Sequence, residues 1–147
     1  MSQSPLRTMA LAAILALVQA SAAYAQEGQE RFVASADEFR NSCASCHGED
    51  GRGAGFLTRI FRGVDPGDLT QLSKNNEGVF PVERVFEVVD GRKEVAAHGE
   101  RKMPVWGDRY MEQTMTRQGP GPMNDIVVRN RVLELVYYIQ SIQDTLW

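Results

Sequence analysis

Thiol and imidazole are scarce in this chain, whose 147 residues include two cysteines and two histidines. No second cysteine pair exists to complete a zinc site with Cys43 and Cys46, and His98 is the sole histidine besides His47. Excess positive charge is lacking too. The 16 basic side chains face 19 acidic ones, a net charge of −3, which argues against a nucleic-acid partner because that needs a basic face. No strand pattern stands out, nor an internal repeat, nor the βαβ alternation that surrounds a thioredoxin-like C-x-x-C pair. Apolar runs are short as well. The longest, Met9 to Ala20, falls below the roughly 20 residues of a membrane span.

Both cysteines are spent in one place, Cys43-Ala44-Ser45-Cys46-His47. On one helical turn, positions i and i+3 share a face and i+4 lies beside them. Two thiols so placed can bond to the two vinyl groups of a haem, and the imidazole can reach the iron from the same side. The C-x-x-C-H pattern is the attachment signature of c-type haem. The competing readings are weaker. A disulfide between Cys43 and Cys46 would close a very short loop and add little stability, and zinc or thiol exchange lacks the supporting pattern.

The N-terminus carries the marks of an export signal. Arg7 supplies a positive charge, Met9 to Ala20 is apolar apart from Gln19, and Ala23-Tyr24-Ala25 fits an A-x-A cleavage site that leaves Gln26 first. In a bacterium this implies a periplasmic protein, membrane-anchored only if the signal is not cleaved. Residues 1–25 contain one charged side chain, Arg7, so the remaining 122 residues carry 15 basic and 19 acidic groups and a net charge of −4. The mature chain, 26–147, is one small domain's worth. Its own core is modest, and a buried haem would add apolar surface to pack around.

Within that domain, residues 26–34 read as a loose polar lead-in, and Ser35-x-x-Glu38 fits a capping box opening a helix. Phe39, one turn before Cys43, points inward with the haem-bearing face. Gly48 to Gly55 is too glycine-dense for a regular helix, which suits either a close backbone approach to a haem edge or a plain turn. Asp68 can cap a short helix through Leu69 and Leu72. Pro81 suits a helix start, Val82, Val85, Phe86 and Val89 form a stripe, and Gly91 suits its end. Residues 91–107 read as loop. The stretch 108–123 is polar and closes with Gly119-Pro120-Gly121-Pro122. Asn124 caps a last helix, about 125–144, with Val128, Val132, Leu135, Ile139 and Ile142 on one face. The expected class is all-α.

The second axial ligand decides what a haem at His47 would do. Met103 is the leading candidate. Its thioether is a soft ligand, and Pro104 disfavours helix at Met103, as an extended strap across a haem face requires. Ordinary packing is the alternative for any methionine, and His98 is a competing ligand. His/Met ligation raises the reduction potential and closes the iron to oxygen and substrate.

With these residues in place, the chain resembles a class I cytochrome c, a monohaem c-type cytochrome of bacterial type. Cys43, Cys46 and His47 match the family's attachment site and proximal ligand. Met103-Pro104-Val105-Trp106 resembles its M-P-x-W distal segment. Phe39 matches the aromatic before the first cysteine, and Leu135 with Tyr138 resembles the apolar and aromatic pair of the final helix. The resemblance spans about residues 35–144 and implies a small cytochrome c fold, helices and loops wrapped around one covalent haem c, with the first and last helices crossing. Its cofactor-binding residues would be Cys43, Cys46, His47 and Met103, the last two as iron ligands. Two departures stand out. Phe56 follows Gly55 where many relatives carry a proline whose carbonyl accepts the proximal histidine's Nδ1 proton, leaving Pro66 as a candidate acceptor. Segment 108–123 is longer than usual and reads as a loop insertion, a docking feature or a tolerated surface excursion.

The function this resemblance implies is a periplasmic one-electron carrier rather than an enzyme. Its partners would be redox proteins: a quinol-oxidising complex or dehydrogenase as donor, a terminal oxidase or reductase as acceptor. The alternative is a cytochrome subunit dedicated to a periplasmic dehydrogenase or reductase complex. A haem sensor or peroxidase with an open sixth site is a third class, and the Met-Pro-Val-Trp segment counts against it. Arg52, Arg92, Lys93, Arg101 and Lys102 flank the expected haem loops, either as a ring for propionates and acidic partners or as solvated surface charge.

Overall fold

The structure, a computed structural model, describes residues 5–61, 63, 65–92 and 103–144. It divides into two compact units, Met1–Ala34 and Ser35–Trp147. Helix α1 runs Pro5–Ser42, beginning in the first unit and ending in the second. Residues 26–34 are therefore helical rather than a loose lead-in, and Ser35 lies inside a helix rather than capping one. The physical reason is composition. Gln, Glu, Arg and Ala are good helix formers whether or not they carry an apolar stripe, and a lone Gly28 costs only about 1 kcal/mol. No helix among the described residues is long and apolar enough to cross a membrane.

The second unit is built around one long helix. After α1 come α2 (Ala44–His47) and α3 (Phe56–Ile60), then 3₁₀ turns at Leu69–Gln71 and Lys74–Asn76. Helices α4 (Val82–Asp90), α5 (Trp106–Gln118) and α6 (Asn124–Ser141) follow. No strand occurs among the described residues, so the protein is all-α. Helix α6 packs against both α4 and α5, which also touch each other. Its expected apolar face is the centre of the core: Val128, Val132, Leu135 and Ile139 are buried, joined by Val136, and Ile142 packs against them half-buried. Val85 and Val89 of α4 are buried against it, and Gly91 ends that helix at a left-handed φ of 66° with its N–H donated to the Glu87 carbonyl at 2.9 Å.

Helix α5 corrects the reading of 108–123 as a loop insertion, since the segment is helical to Gln118. Trp106, Tyr110 and Thr114, at i, i+4 and i+8, are buried on one face. Arg, Met, Glu and Gln between them favour helix, and Gly119 stops it with its N–H on the Met115 carbonyl at 2.8 Å. The far end of α6 is pinned to the 3₁₀ turns. Asp144 donates its backbone N–H to the Thr70 carbonyl at 2.9 Å, and Gln143 Nε2 donates to the Leu69 carbonyl at 2.7 Å. Asp68 caps the first of those turns, accepting the Thr70 N–H at 2.9 Å.

Candidate haem site

Cys43 sits in the joint between α1 and α2, and the helical ladder runs through it. Its N–H donates to the Phe39 carbonyl at 2.8 Å, and the Cys43 carbonyl accepts from Cys46 N–H at 3.1 Å and from His47 N–H at 2.9 Å. Cys43, Cys46 and His47 therefore keep the helical offsets of i, i+3 and i+4 that set them side by side. Both cysteines are free thiols, Cys43 buried and Cys46 half-buried. Burial pushes the Cys43 thiol up to about 12, with smaller contributions from Glu38 and Cys46.

His47 is buried, and burial lowers its pKa, favouring the neutral ring that a metal accepts. Its Nδ1 is sealed from solvent and has no hydrogen-bond partner. An orphaned buried nitrogen costs about 1–3 kcal/mol, a cost out of place in a ring that serves only packing. Pro66 does not supply the acceptor expected for it. Two free thiols and a buried neutral imidazole on one turn fit a covalently held haem. Among the described residues, no cluster of three or more His, Cys, Asp or Glu side chains offers a different metal site.

The glycine-dense loop folds back onto this turn. Gly53 N–H donates to the His47 carbonyl at 2.7 Å and Gly55 N–H to the Cys46 carbonyl at 3.0 Å, satisfying the last carbonyls of α2. A Cβ at Gly55 would lie 2.4 Å from the Ser45 carbonyl oxygen and 2.6 Å from that of Ala44. Close approach is thus the reason for glycine there, and what is approached is the attachment turn's own backbone. Arg52, at the loop's tip, pairs with Asp144 at 2.7 Å. Arg92 pairs with Asp90 at 3.0 Å and with Asp125 at 2.8 Å. These two cations are engaged within the fold rather than presented as a docking ring. Lys93, His98, Arg101 and Lys102 lie outside the described residues.

Met103 is half-buried and packs against the same apolar cluster that contains Cys43. The strap it belongs to is seated tightly on the end of α4. A Cβ at Gly91 would lie 3.3 Å from Val105 Cα, and one at Gly107 would lie 2.5 Å from Asp90 Oδ1 and 2.6 Å from Arg92 Nε. Phe39 is fully buried, its ring 5.1 Å from that of Tyr138 on α6, so the ends of the first and last helices meet where the resemblance placed them.

One cluster beside the site was not foreseen. Glu38 accepts hydrogen bonds from Tyr110 Oη at 3.0 Å, Ser42 Oγ at 2.7 Å and Arg131 Nη2 at 2.7 Å. Burial alone would raise its carboxyl. The bonds from Arg131, Ser42 and Tyr110 and the charge of Arg131 outweigh that and hold it below its ordinary value. Tyr110 is pushed well above the usual phenol range, by burial first and then by Glu38. The cluster's signal in the sequence is Tyr110 one turn after Trp106, an aromatic pair masked by the charged and polar residues around it.

Among family models, the one described as cytochrome c matches residues 25–143. No curated relative and no solved structure matches the chain.

Proposed function

Because the chain belongs to the cytochrome c family, proteins that carry covalent haem c and transfer electrons, we propose that it is a class I, His/Met-ligated carrier of bacterial type working in the periplasm. The observation that carries this reading is the attachment turn: two cysteines and a buried His47 held at i, i+3 and i+4. Cys43 and Cys46 are the attachment points, His47 the proximal ligand and Met103 the distal one. When bound, the haem supplies a one-electron couple between Fe(III) and Fe(II).

The protein's part is positional. The α1–α2 joint fixes the thiols and the imidazole on a continuous hydrogen-bond ladder, and the glycine loop satisfies its free carbonyls. Burial lowers the His47 pKa and so favours the neutral ring that a ligand needs. The strap's seat on Gly91, Asp90 and Arg92 fixes Val105 and Gly107, two and four residues beyond Met103. Ligand positions held this firmly change little with oxidation state, so little reorganisation opposes electron transfer. The apolar stretch from Met9 to Ala20 and Ala23-Tyr24-Ala25 support export and a mature start at Gln26. Partners are redox proteins, donor and acceptor in turn. Helix α5 buries Tyr110 and Thr114, so 108–118 is framework rather than a surface insertion in either a free carrier or a dedicated subunit.

One expression experiment tests the whole reading. The full chain is produced in a bacterial host with a haem-attachment system, and the periplasmic fraction is taken for intact mass and visible spectra. The expected mass is residues 26–147 plus one haem. The expected spectrum is low-spin c-type, with the weak red methionine-to-iron band in the oxidised form, and Met103→Ala should abolish that band. A band that survives Met103→Ala rules out this ligand, and a chain without haem sinks the reading entirely.

A further inference from the structure

The Glu38 cluster joins three helices at one carboxylate. Glu38 lies on α1, five residues before Cys43. Tyr110 lies on α5, seven residues after Met103, and Arg131 comes from α6. Arg131 also donates from Nη1 to Gln113 Oε1 at 2.7 Å, and its guanidinium sits 3.9 Å from the centre of the Tyr110 ring. Tyr110 and Phe39 are both fully buried, and the Trp106 and Tyr110 rings lie 5.7 Å apart. A path of direct contacts and short chain segments therefore runs from Met103 through Trp106, Tyr110 and Glu38 to Cys43.

We propose that Glu38 is a positioning residue for the sixth iron ligand: its junction with Tyr110 and Arg131 holds the start of α5, and with it Met103, in register with the helix end that bears Cys43, Cys46 and His47. The inference rests on the assignment of Met103 as ligand. Its physical basis is twofold. Hydrogen bonds to a charged acceptor are worth more than neutral ones, and Glu38 accepts three of them, two from other helices. A thioether is also a soft donor and holds the harder ferric ion weakly. In the oxidised protein, retention of Met103 then depends on how firmly the polypeptide holds it in place.

Competition by imidazole at the ferric iron reads this directly, since an added ligand binds only as Met103 lets go. The measurements use haem-loaded wild type, Met103→Ala, Glu38→Gln, Tyr110→Phe and Val128→Ala. The last removes core volume from α6 at a buried position outside the cluster. Glu38→Gln and Tyr110→Phe should each bind imidazole about tenfold more tightly than wild type, with loss of the red band at correspondingly lower imidazole. Val128→Ala should lower the urea midpoint yet leave imidazole affinity within about twofold. Unchanged affinity in both cluster variants overturns the proposal, as does an equal rise in Val128→Ala, which would mark general loosening. A wild type whose imidazole affinity matches that of Met103→Ala fails differently. It overturns the Met103 assignment itself, and this inference with it.

Discussion

At the scale of single residues, Gly55 shows how sequence chemistry is spent on the attachment turn. An added Cβ would press into the carbonyl oxygens of Ser45 and Ala44 and into the carbonyl carbon of Cys46, at 2.4, 2.6 and 2.6 Å. These are backbone atoms, and they cannot rotate away as a side chain would. Gly55→Ala should therefore cost roughly 1–3 kcal/mol, toward the upper end, and lower the yield of covalently attached haem. Urea unfolding together with the ratio of haem absorbance to protein checks this. A fully loaded variant with wild-type stability would mean the loop relaxes freely. Gly67 provides the contrast, with a φ of 67° but nothing within 4 Å of its added Cβ; there the requirement is conformational rather than steric.

At the scale of elements, α5 decides whether 108–123 is ornament or framework. The helix buries Trp106, Tyr110 and Thr114 while Met115 stays largely exposed. Tyr110→Ala should destabilise by about 3–5 kcal/mol, as large aromatic truncations in cores do, whereas Met115→Gln should stay within about 0.5 kcal/mol. Chemical denaturation of the two variants distinguishes a structural helix from a tolerated insertion. The same helix shows where sequence reading reaches its limit. The stripe of α6 was legible because Val128, Val132, Leu135 and Ile139 repeat an apolar signal over three turns. The attachment motif was legible because its chemistry is local, within five residues. In α5 the buried face is an aromatic pair and a threonine among charges, too sparse to register as periodic. Residues 26–34 hid for a different reason: six polar or glycine positions followed by Phe32-Val33-Ala34 in a row make no stripe to detect. The Glu38–Arg131 pair spans 93 positions, and no local pattern encodes a contact of that range. Glu38 had a tidy local explanation as a capping-box residue, which the continuous helix α1 displaced.

At the scale of the whole molecule, three helices meet at one engaged carboxylate, Glu38, and acid should find it. Glu38 is faced by Ser42 from its own helix, by Tyr110 from α5 and by Arg131 from α6, with the Cys43 thiol nearby. Burial raises its folded-state pKa, but the bonds from Arg131, Ser42 and Tyr110 and the charge of Arg131 outweigh it and hold the value below the ordinary 4.5. A carboxylate whose pKa is depressed by folding contributes stability that is fully present above its unfolded value. That contribution is lost as pH falls through the folded value. Asp144 is depressed in the same direction, by its hydrogen bond from Arg52 first, but it is exposed and its pair with Arg52 is open to screening by salt. The urea midpoint should thus be nearly flat from neutrality down to about pH 5 as far as Glu38 is concerned, and decline below about pH 4.5. Glu38→Gln should start lower at neutral pH and show a shallower acid limb, because its amide has no proton to gain. High salt should flatten the Asp144 part of the limb and leave most of the difference between wild type and Glu38→Gln intact. Parallel acid limbs for the two proteins would mean that Glu38 titrates alike folded and unfolded, and that the three-helix junction does not depend on its charge.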